Sequence, residues 1–323
     1  MRLMLHLANL FLRGTALMLC LVGAATGLAC LGGLFSDRLD ALTHWAPLWM
    51  ACGVAGLALA VAVSRDDERK ALVAAAAVGI AALVMLMTPE LLSTLHRPEK
   101  PPAGAATLKL IQFNLWAENH APKETAAWIL KQNADIVITE ESGGAAWPIL
   151  RALRKAYPYS IACRGCDTRI YSRWPVVDQH VFYDDGEGLV GAWATLRHPR
   201  GDFTVVGNHF VWPIPAGKWQ AQSRTLVRKV APFPKDSLIV TGDFNSTPWS
   251  WSLRRQDKAL GLERRTRALA SWPTGPFSRV VSAPFPILPI DQVYAGKAWK
   301  TVKVERGPNL GSDHRPVVVV LAR

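Results

Sequence analysis

Acidic, amide and imidazole side chains in the C-terminal two thirds of the sequence follow short apolar runs, where strands are expected to end. Asn114 lies at the end of the apolar run Leu108–Leu115, and Glu140 and Glu141 follow the β-branched run Asp135–Thr139. Strand ends are where α/β folds commonly collect their functional groups. Two acids at such a position are costly if they are buried without a partner, and a bound metal would offset that cost. A solvated strand end is the alternative interpretation.

Four further patches repeat this arrangement. They are Val205–His209, Ile239–Pro248, Pro289–Tyr294 and Gly311–Pro316. The second patch, with Asp243 and Asn245 after Gly242, and the fourth are the most specific. In the fourth, Asp313, His314 and Arg315 are adjacent, which indicates acid–base and phosphate-binding chemistry. His209, taken alone, is more typical of a structural histidine.

The elements that position these patches alternate between strands and helices at both ends of the region, with hairpins in the middle. Helices are predicted at Pro122–Gln132, Trp147–Ala156 and Pro215–Val230 from their proline starts and apolar faces. Strands are predicted at 108–115, 135–139, 168–172, 176–183, 189–196, 203–208, 237–241 and 316–321. This pattern predicts a mixed α/β fold built on two-layer or multilayer sheets rather than a doubly wound one.

The N-terminal third has a different composition. Three uncharged stretches of 18 to 20 residues, Ala16–Phe35, Trp45–Val63 and Ala71–Thr88, are rich in Gly and Ala and are long enough to cross a bilayer as helices. A signal peptide followed by core helices is the alternative, but its apolar region is usually only about 7–15 residues long. We predict three spans in residues 1–95, a proline-rich linker over 96–106 and a second domain over 107–323.

The orientation of the spans is predicted from Lys and Arg near their ends. Five such residues fall on the N-terminal side and in the second loop, and three on the opposite side. The N-terminus is therefore predicted inside, and residues 101–323 outside. Residues 101–323 also carry most of the positive charge, with 29 Lys and Arg against 18 Asp and Glu.

The order of the patches, rather than any one of them, resembles a known family. Asn, Glu, His, Gly-Asp-Phe-Asn, Ile-Asp and Ser-Asp-His-Arg-Pro occur in the order found in the endonuclease/exonuclease/phosphatase superfamily, which has the fold of DNase I. Ser172-Arg173-Trp174-Pro175 resembles that family's Ser-Arg-x-Pro strand opening, and Trp272-Pro273 resembles a feature of its membrane-anchored bacterial members. The resemblance covers about residues 107–321. It implies a four-layer α-β-β-α sandwich preceded by three transmembrane helices.

The resemblance also implies a role for each residue. Asn114, Glu141 and Asp313 would hold a divalent cation, Mg²⁺ or alternatively Mn²⁺. Asp291 would pair with His314 and fix its tautomer, and His209 would donate a hydrogen bond to the substrate phosphate. Asp243 would orient or deprotonate the attacking water, and Asn245 would stabilise charge on the phosphoryl oxygens. Whether Asp243 or His314 is the general base stays open. Glu140 stands where the family usually has Gln and is expected to face solvent.

The implied activity is metal-dependent hydrolysis of a phosphoester, by a multi-pass protein of the bacterial inner membrane with a periplasmic catalytic domain. The substrate would be a nucleic acid, a phospholipid, an inositol phosphate or another small phosphoester, and no protein partner is implied. The alternative is a non-catalytic, membrane-tethered module that binds nucleic acid or lipid headgroups.

Two features of composition leave questions open, the first about the substrate and the second about a disulfide. A cluster of basic residues, Arg254, Arg255, Lys258, Arg264, Arg265 and Arg267, suits a nucleic-acid backbone, anionic lipid headgroups or a solvated basic face. Cys163 and Cys166 are the only cysteines in the second domain, and an outside location would permit a disulfide between them.

Overall fold

The computed structural model describes residues 1–95, 101, 103–162, 167–182, 186–276 and 282–323. The chain divides into two compact units. The first comprises Met1–Ser93 and Trp249–Ser252, and the second comprises Thr94–Pro248 and Leu253–Arg323.

The first unit is helical. Its helices are α1 (Arg2–Gly32), α2 (Asp37–Thr43), α3 (Ala46–Val63) and α4 (Asp66–Ser93). Among the described residues, α1, α3 and α4 are long and apolar enough to cross a membrane. Each of them contains most of one predicted span, but α1 begins 14 residues before the stretch predicted from Ala16.

Small residues bring the three long helices together. A Cβ built on Gly23 would lie 2.8 Å from the Cα of Gly53, and one built on Gly27 would lie 2.7 Å from the carbonyl oxygen of Gly79. Larger side chains would therefore separate these backbones. The large apolar side chains of α1, such as Leu10 and Phe11, lie on the outside instead. Close small-residue contacts and an apolar exterior are typical of helices packed in lipid.

The second unit contains four helices and two large sheets in its described residues. The helices are α5 (Pro122–Lys131), α6 (Trp147–Ala156), α7 (Lys218–Val230) and α8 (Trp251–Leu260), the last beginning in the four-residue segment that belongs to the first unit. The strands are β1 (Thr107–Asn114), β2 (Ile136–Glu140), β3 (Tyr159–Ala162), β4 (Arg169–Ser172), β5 (Val176–Val181), β6 (Val190–Leu196), β7 (Phe203–His209), β8 (Ile239–Asp243), β9 (Glu263–Arg264), β10 (Gly275–Pro276), β11 (Ser282–Ala283), β12 (Asp291–Ala295), β13 (Lys300–Arg306) and β14 (Val317–Ala322).

Six strands form each large sheet. The first sheet has the order β13-β14-β1-β2-β4-β3, and the second has the order β5-β6-β7-β8-β12-β9. The pairs β1–β2 and β7–β8 are parallel, and their other neighbours are antiparallel. Strands β10 and β11 form a separate two-stranded ribbon.

Three apolar clusters hold the layers together. The central cluster lies between the sheets and includes Leu110, Ile138 and Val205. Alternate residues of the same strands point away from this cluster, as the two-residue period of a strand requires. Those of the first sheet pack against α5 and α6, and those of the second pack against α7 and α8. The layers are therefore helix, sheet, sheet, helix, which confirms the predicted four-layer sandwich.

The predicted elements agree with the observed ones where apolar periodicity is strong. Helix α6 has the predicted bounds, while α7 starts at Lys218 rather than at Pro215. Helix α8 and strand β13 were not predicted. Residues of β13 are half-buried or exposed along its length, so the strand lacks the apolar run that indicates a buried strand.

Candidate functional site

Strand register places half of the predicted site residues in two rows, one on each sheet. In the first sheet Asn114 lies opposite Glu140. In the second, Asp243 lies between His209 on β7 and Asp291 on β12. Gly242 permits this close approach: its φ is +150°, and a Cβ there would lie 1.8 Å from the carbonyl oxygen of Asn208.

Hydrogen bonds join the two rows across the sandwich. The Nδ2 of Asn114 donates to Oε1 of Glu141 at 3.0 Å and to Oδ2 of Asp243 at 3.1 Å. The Nε2 of Gln112 donates to Oε2 of Glu140 at 3.0 Å and to Oδ1 of Asp291 at 2.7 Å. Two amides therefore each bridge a pair of carboxylates, and the arrangement is fixed by side chains from both sheets.

The predicted pair Asp291–His314 is present and fully buried. Oδ2 of Asp291 lies 2.8 Å from Nδ1 of His314, and the two residues are 0% and 3% exposed. The Nε2 of His314 lies 3.6 Å from Oδ2 of Asp243. Burial lowers the pKa of His314, but the charges of Asp291 and Asp243 outweigh burial and raise the pKa well above its usual value.

A serine fixes the loop that carries this histidine. The hydroxyl of Ser312 donates to the carbonyl of Asn114 at 2.8 Å, and the backbone N–H of His314 donates to the hydroxyl at 3.0 Å. The loop is thus tied to the end of β1, which positions His314 against the second sheet.

A second acid–histidine pair, Asp167–His209, was missed in the sequence. Oδ2 of Asp167 lies 3.0 Å from Nδ1 of His209. The Nε2 of His209 lies 3.7 Å from Oδ2 of Asp243 and 3.9 Å from Oε1 of Glu141. Burial lowers the pKa of His209, but the hydrogen bond with Asp167 and the surrounding carboxylates raise it to about 9. The pKa of Asp167 is lowered, since the His209 interaction outweighs the opposing effect of burial.

Asp243 lies at the centre of the site. Its Oδ1 accepts the backbone N–H of Asn245 at 2.8 Å, and Asn245 adopts a φ of +47° that turns the chain at this point. Burial raises the pKa of Asp243 to about 6, against the opposing charge of His314. The Nδ2 of Asn245 donates to the carbonyl of Phe210 at 2.8 Å. One of the two amide hydrogens of Asn245 is therefore used within the protein, and one is left for a ligand.

Glu140 does not face solvent, contrary to the expectation from the sequence. It is 0% exposed, and burial, the largest effect, raises its pKa well above the usual value. Its side chain points between the sheets to Gln112. The next residue, Glu141, has a φ of +46°, so the alternation of the strand ends there and the side chain of Glu141 turns to Asn114 instead.

The carboxylate oxygens of Glu141 and Asp313 fit a hard divalent cation. Asn114 turns its amide nitrogen toward Glu141, and its Oδ1 accepts the backbone N–H of Trp116 at 3.0 Å. Asp313 uses Oδ2 to accept the indole N–H of Trp272 at 3.0 Å, while its buried Oδ1 has no hydrogen-bond partner. Glu141 contributes to the raised pKa of Asp313, as expected for neighbouring carboxylates, although burial is the largest cause. Mg²⁺ and Mn²⁺ prefer such oxygen ligands. Asp243, Asp291 and His314 also have ligand atoms within 4.8 Å of one another, but their mutual contacts already use several of those atoms.

The basic cluster predicted after the Asp243 patch is partly internal. The side chain of Arg264 is 4% exposed and pairs with Asp257, and that of Arg265 is 7% exposed and pairs with Glu263. These two guanidinium groups are therefore not part of a solvated basic face. Cys163 and Cys166 lie outside the described residues.

Comparisons with known proteins identify the family and the fold. The sequence profile described as "Endonuclease/Exonuclease/phosphatase family" matches residues 111–314. No curated protein shows significant sequence similarity to the chain.

Several solved structures share the fold of the second unit. An endonuclease/exonuclease/phosphatase from Beutenbergia cavernae DSM 12333 is 20% identical with a TM-score of 0.51, over 67% of this chain and 71% of the other. TDP2 from D. rerio, complexed with a single-strand DNA product, is 14% identical with a TM-score of 0.53, over 67% and 99%. Sphingomyelinase C from Streptomyces griseocarneus is 17% identical with a TM-score of 0.50, over 67% and 99%. At these identities the likeness shows the fold alone.

Proposed function

Since the chain belongs to the endonuclease/exonuclease/phosphatase family, we propose that it is a membrane-anchored, divalent-metal-dependent hydrolase of phosphoester bonds. One observation carries the proposal. His209 and His314, each paired to a carboxylate through Nδ1, place Nε2 at 3.7 and 3.6 Å from the same oxygen, Oδ2 of Asp243. A phosphoryl group at this point would meet two imidazole donors and one carboxylate acceptor.

Asn114, Glu141 and Asp313 would hold the cation, which we propose to be Mg²⁺, with Mn²⁺ as a substitute. The unpartnered Oδ1 of Asp313 supports this assignment, because a buried carboxylate oxygen without a hydrogen bond is costly. When bound, the cation supplies positive charge that offsets the charge of the phosphate and favours ionisation of a water.

The side chains of the protein divide the remaining work. Asp243 accepts a hydrogen bond from the attacking water and orients it toward phosphorus. His209 and the free amide hydrogen of Asn245 donate to the phosphoryl oxygens, where negative charge grows in the transition state. The carboxylate of Asp291 holds Nδ1 of His314, so that Nε2 faces Asp243. From there, Nε2 donates a hydrogen bond or a proton to the phosphate group of the substrate.

We place the protein in the inner membrane of a bacterium, with the catalytic unit on the periplasmic side. Three helices suited to cross a membrane support the anchor. An odd number of spans puts the two ends of the chain on opposite sides, and the five-to-three bias of Lys and Arg favours an inside N-terminus.

Hydrolysis by the full chain in detergent tests the activity. The substrates are bis-p-nitrophenyl phosphate, p-nitrophenyl phosphate, plasmid DNA, single-stranded RNA, an anionic phospholipid and an inositol phosphate, each with Mg²⁺ and with EDTA. We expect cleavage of at least one substrate in Mg²⁺ and none in EDTA. Absence of cleavage across the panel, with binding of the phospholipid or nucleic acid intact, would favour the non-catalytic binding module instead.

The metal ligands are tested separately through the Mg²⁺ concentration that gives half of the maximal rate. Glu141→Gln removes a charged oxygen and is expected to raise this concentration by about 10- to 100-fold, the usual effect of weakening a metal site. Glu124→Gln, at an exposed position on α5, is the matched control. An unchanged Mg²⁺ requirement in Glu141→Gln would contradict the assignment.

A further inference from the structure

A group of exposed apolar side chains borders the site. We define this apolar rim by five residues from two loops, Val211, Trp212, Ile214, Phe285 and Ile287. The first three follow β7 directly after His209 and Phe210, and the last two precede β12. They are 38% to 63% exposed. Other exposed apolar side chains of this unit, such as Trp147 and Val177, occur singly along the chain, whereas these five are concentrated in two loops, which indicates a binding surface.

Trp272 joins the two loops. Its ring centroid lies 5.3 Å from that of Trp212, in an edge-to-face arrangement. The backbone N–H of Ile287 donates to the carbonyl of Trp272 at 3.1 Å. One loop therefore contacts the indole of Trp272 and the other pairs with its backbone, so both halves of the apolar rim are held at the same residue.

The same indole reaches the catalytic groups. The Nε1 of Trp272 donates to Oδ2 of Asp313 at 3.0 Å, and its ring centroid lies 6.4 Å from that of His314. Trp272 thus lies between the imidazole of His314 and the exposed ring of Trp212. A substrate with its phosphate at the histidines would extend its organic group along the apolar rim.

The composition of the rim favours a hydrocarbon chain over a nucleic acid. Three of the five residues, Val211, Ile214 and Ile287, are aliphatic and offer no stacking face for a base. Trp212 and Phe285 do offer one, so the composition favours a hydrocarbon chain through its aliphatic majority, whereas single-stranded nucleic acids are bound by successive aromatic platforms in a basic groove. Arg264 and Arg265 of the basic cluster are internal.

A short linker joins the proposed membrane anchor to the second unit. Thirteen residues, 94–106, connect the last candidate span to β1. At most about 3.5 Å per residue, they allow a separation of about 45 Å. The linker thus tethers the second unit to the proposed anchor, and bilayer lipid is an apolar partner available to it.

We propose that the apolar rim binds the hydrocarbon part of a phospholipid, and that the substrate of this site is a lipid phosphoester. This inference rests on the proposed hydrolase activity and names its substrate class. The headgroup phosphate lies at the two histidines, and the first methylene groups of the lipid lie against Trp212, Ile214 and Trp272.

A series of soluble diesters tests the proposal without a bilayer. Methyl, butyl and octyl p-nitrophenyl phosphate present the same phosphate and leaving group with a growing chain. With the full chain in amphipol and Mg²⁺, we expect kcat/KM to rise by about tenfold from methyl to octyl, as burial of about two methylene groups provides. The double variant Trp212→Ser, Ile214→Ser is expected to lose most of this ratio.

The control removes exposed apolar groups away from the rim. Val177→Ser on β5 and Val302→Ser on β13 are 46% and 40% exposed in the native protein, close to Trp212 at 42%. They are expected to keep the octyl-to-methyl ratio. A ratio that is kept in the controls and lost in the rim variant cannot come from partition of the octyl chain into the amphipol. Hydrolysis of phosphatidylglycerol in mixed micelles should fall in the rim variant and not in the controls.

The outcomes separate the two proposals. Hydrolysis of all three diesters at equal kcat/KM, or faster cleavage of single-stranded DNA or RNA that the rim variant leaves unchanged, would overturn the lipid proposal and keep the hydrolase. If no diester is cleaved, calorimetry that compares the binding of octylphosphonate and methylphosphonate tests the apolar rim, and the hydrolase proposal fails only if the six substrates named above are also left intact. Tighter binding of the octyl compound, lost in the rim variant, would support the apolar subsite, and equal binding would overturn it.

Discussion

The two acid–histidine pairs of the site have the same chemistry but different surroundings. Asp291–His314 is enclosed, with side chains 0% and 4% exposed. Asp167–His209 is more open, with side chains 37% and 17% exposed. The second oxygen of Asp291 accepts a hydrogen bond from the buried amide of Gln112 at 2.7 Å, whereas Oδ1 of Asp167 accepts a long hydrogen bond of 3.4 Å from the hydroxyl of Thr168.

The difference indicates how each histidine is used. A buried pair with a second layer of hydrogen bonds keeps one geometry through the reaction, as proton transfer requires. A more open pair that lies beside Glu141 and Asp243 is suited to contact the charged oxygens of a ligand. We therefore assign the proton-handling role to His314 and the phosphate-contacting role to His209.

The largest effect should follow from breaking the enclosed pair. Asp291→Asn keeps the shape of the side chain but removes the charge that holds Nδ1 of His314. We expect kcat for bis-p-nitrophenyl phosphate to fall on the order of 10³-fold, with the Mg²⁺ requirement unchanged. A loss of less than about tenfold would contradict the assignment.

Disrupting the Asp167–His209 pair should lower activity less. His209→Gln retains a hydrogen-bond donor but loses the positive charge that Asp167 favours. We expect a fall in kcat/KM on the order of 10²-fold, the usual contribution of one donor to a developing oxyanion. If His209→Gln costs as much as Asp291→Asn, the two pairs do not differ as proposed.

Substitution of Gln112, whose amide donates to Asp291, should have a smaller effect on kcat and a distinct effect on the pH–rate profile. Gln112→Leu leaves Oδ1 of Asp291 without its donor, while Gln112→Glu tests the charge at the same position. We expect Gln112→Leu to lower kcat by about tenfold and to shift the pH–rate profile, as second-layer partners of catalytic groups do. Loss of thermal stability with an unchanged pH profile would identify Gln112 as structural only.

The Asp167–His209 pair should also stabilise the metal-free protein in a pH-dependent way. The pKa of His209 is raised to about 9 from 6.5, so its stabilising effect is complete below about pH 6.5 and is lost as the pH rises through 9. In EDTA, the full chain should melt at a higher temperature than Asp167→Asn at pH 6, and this difference should shrink at pH 9.5. Asp202→Asn, at an exposed position, is the control. An equal difference at both pH values would exclude this ion pair as its cause.

Much of the site could be predicted because its residues follow apolar runs that form strands. Asn114, His209 and Asp243 each end a strand, and the structure places them together. Asp167 could not be found in this way, since it precedes the short strand β4 and no apolar run leads to it. Its contact with His209 depends on the packing of β4 of the first sheet against β7 of the second, which the sequence does not indicate.

Other features depend on backbone geometry or tertiary contact. Glu140 and Glu141 were assigned opposite environments from the family pattern, and Glu140 proved buried because the strand alternation continues through it and stops at the positive φ of Glu141. The apolar rim joins loops 75 residues apart through Trp272, and no periodicity in the sequence indicates that contact.

The most direct test of the account is the turnover of bis-p-nitrophenyl phosphate by the full-length His314→Gln variant in Mg²⁺, beside the wild-type chain and with metal binding measured on the same samples. The account predicts that the wild type hydrolyses the diester and stops in EDTA, and that the variant binds metal equally but turns over at least about 100-fold more slowly. A variant that keeps more than half of the wild-type rate would contradict the central role of the Asp291–His314 pair.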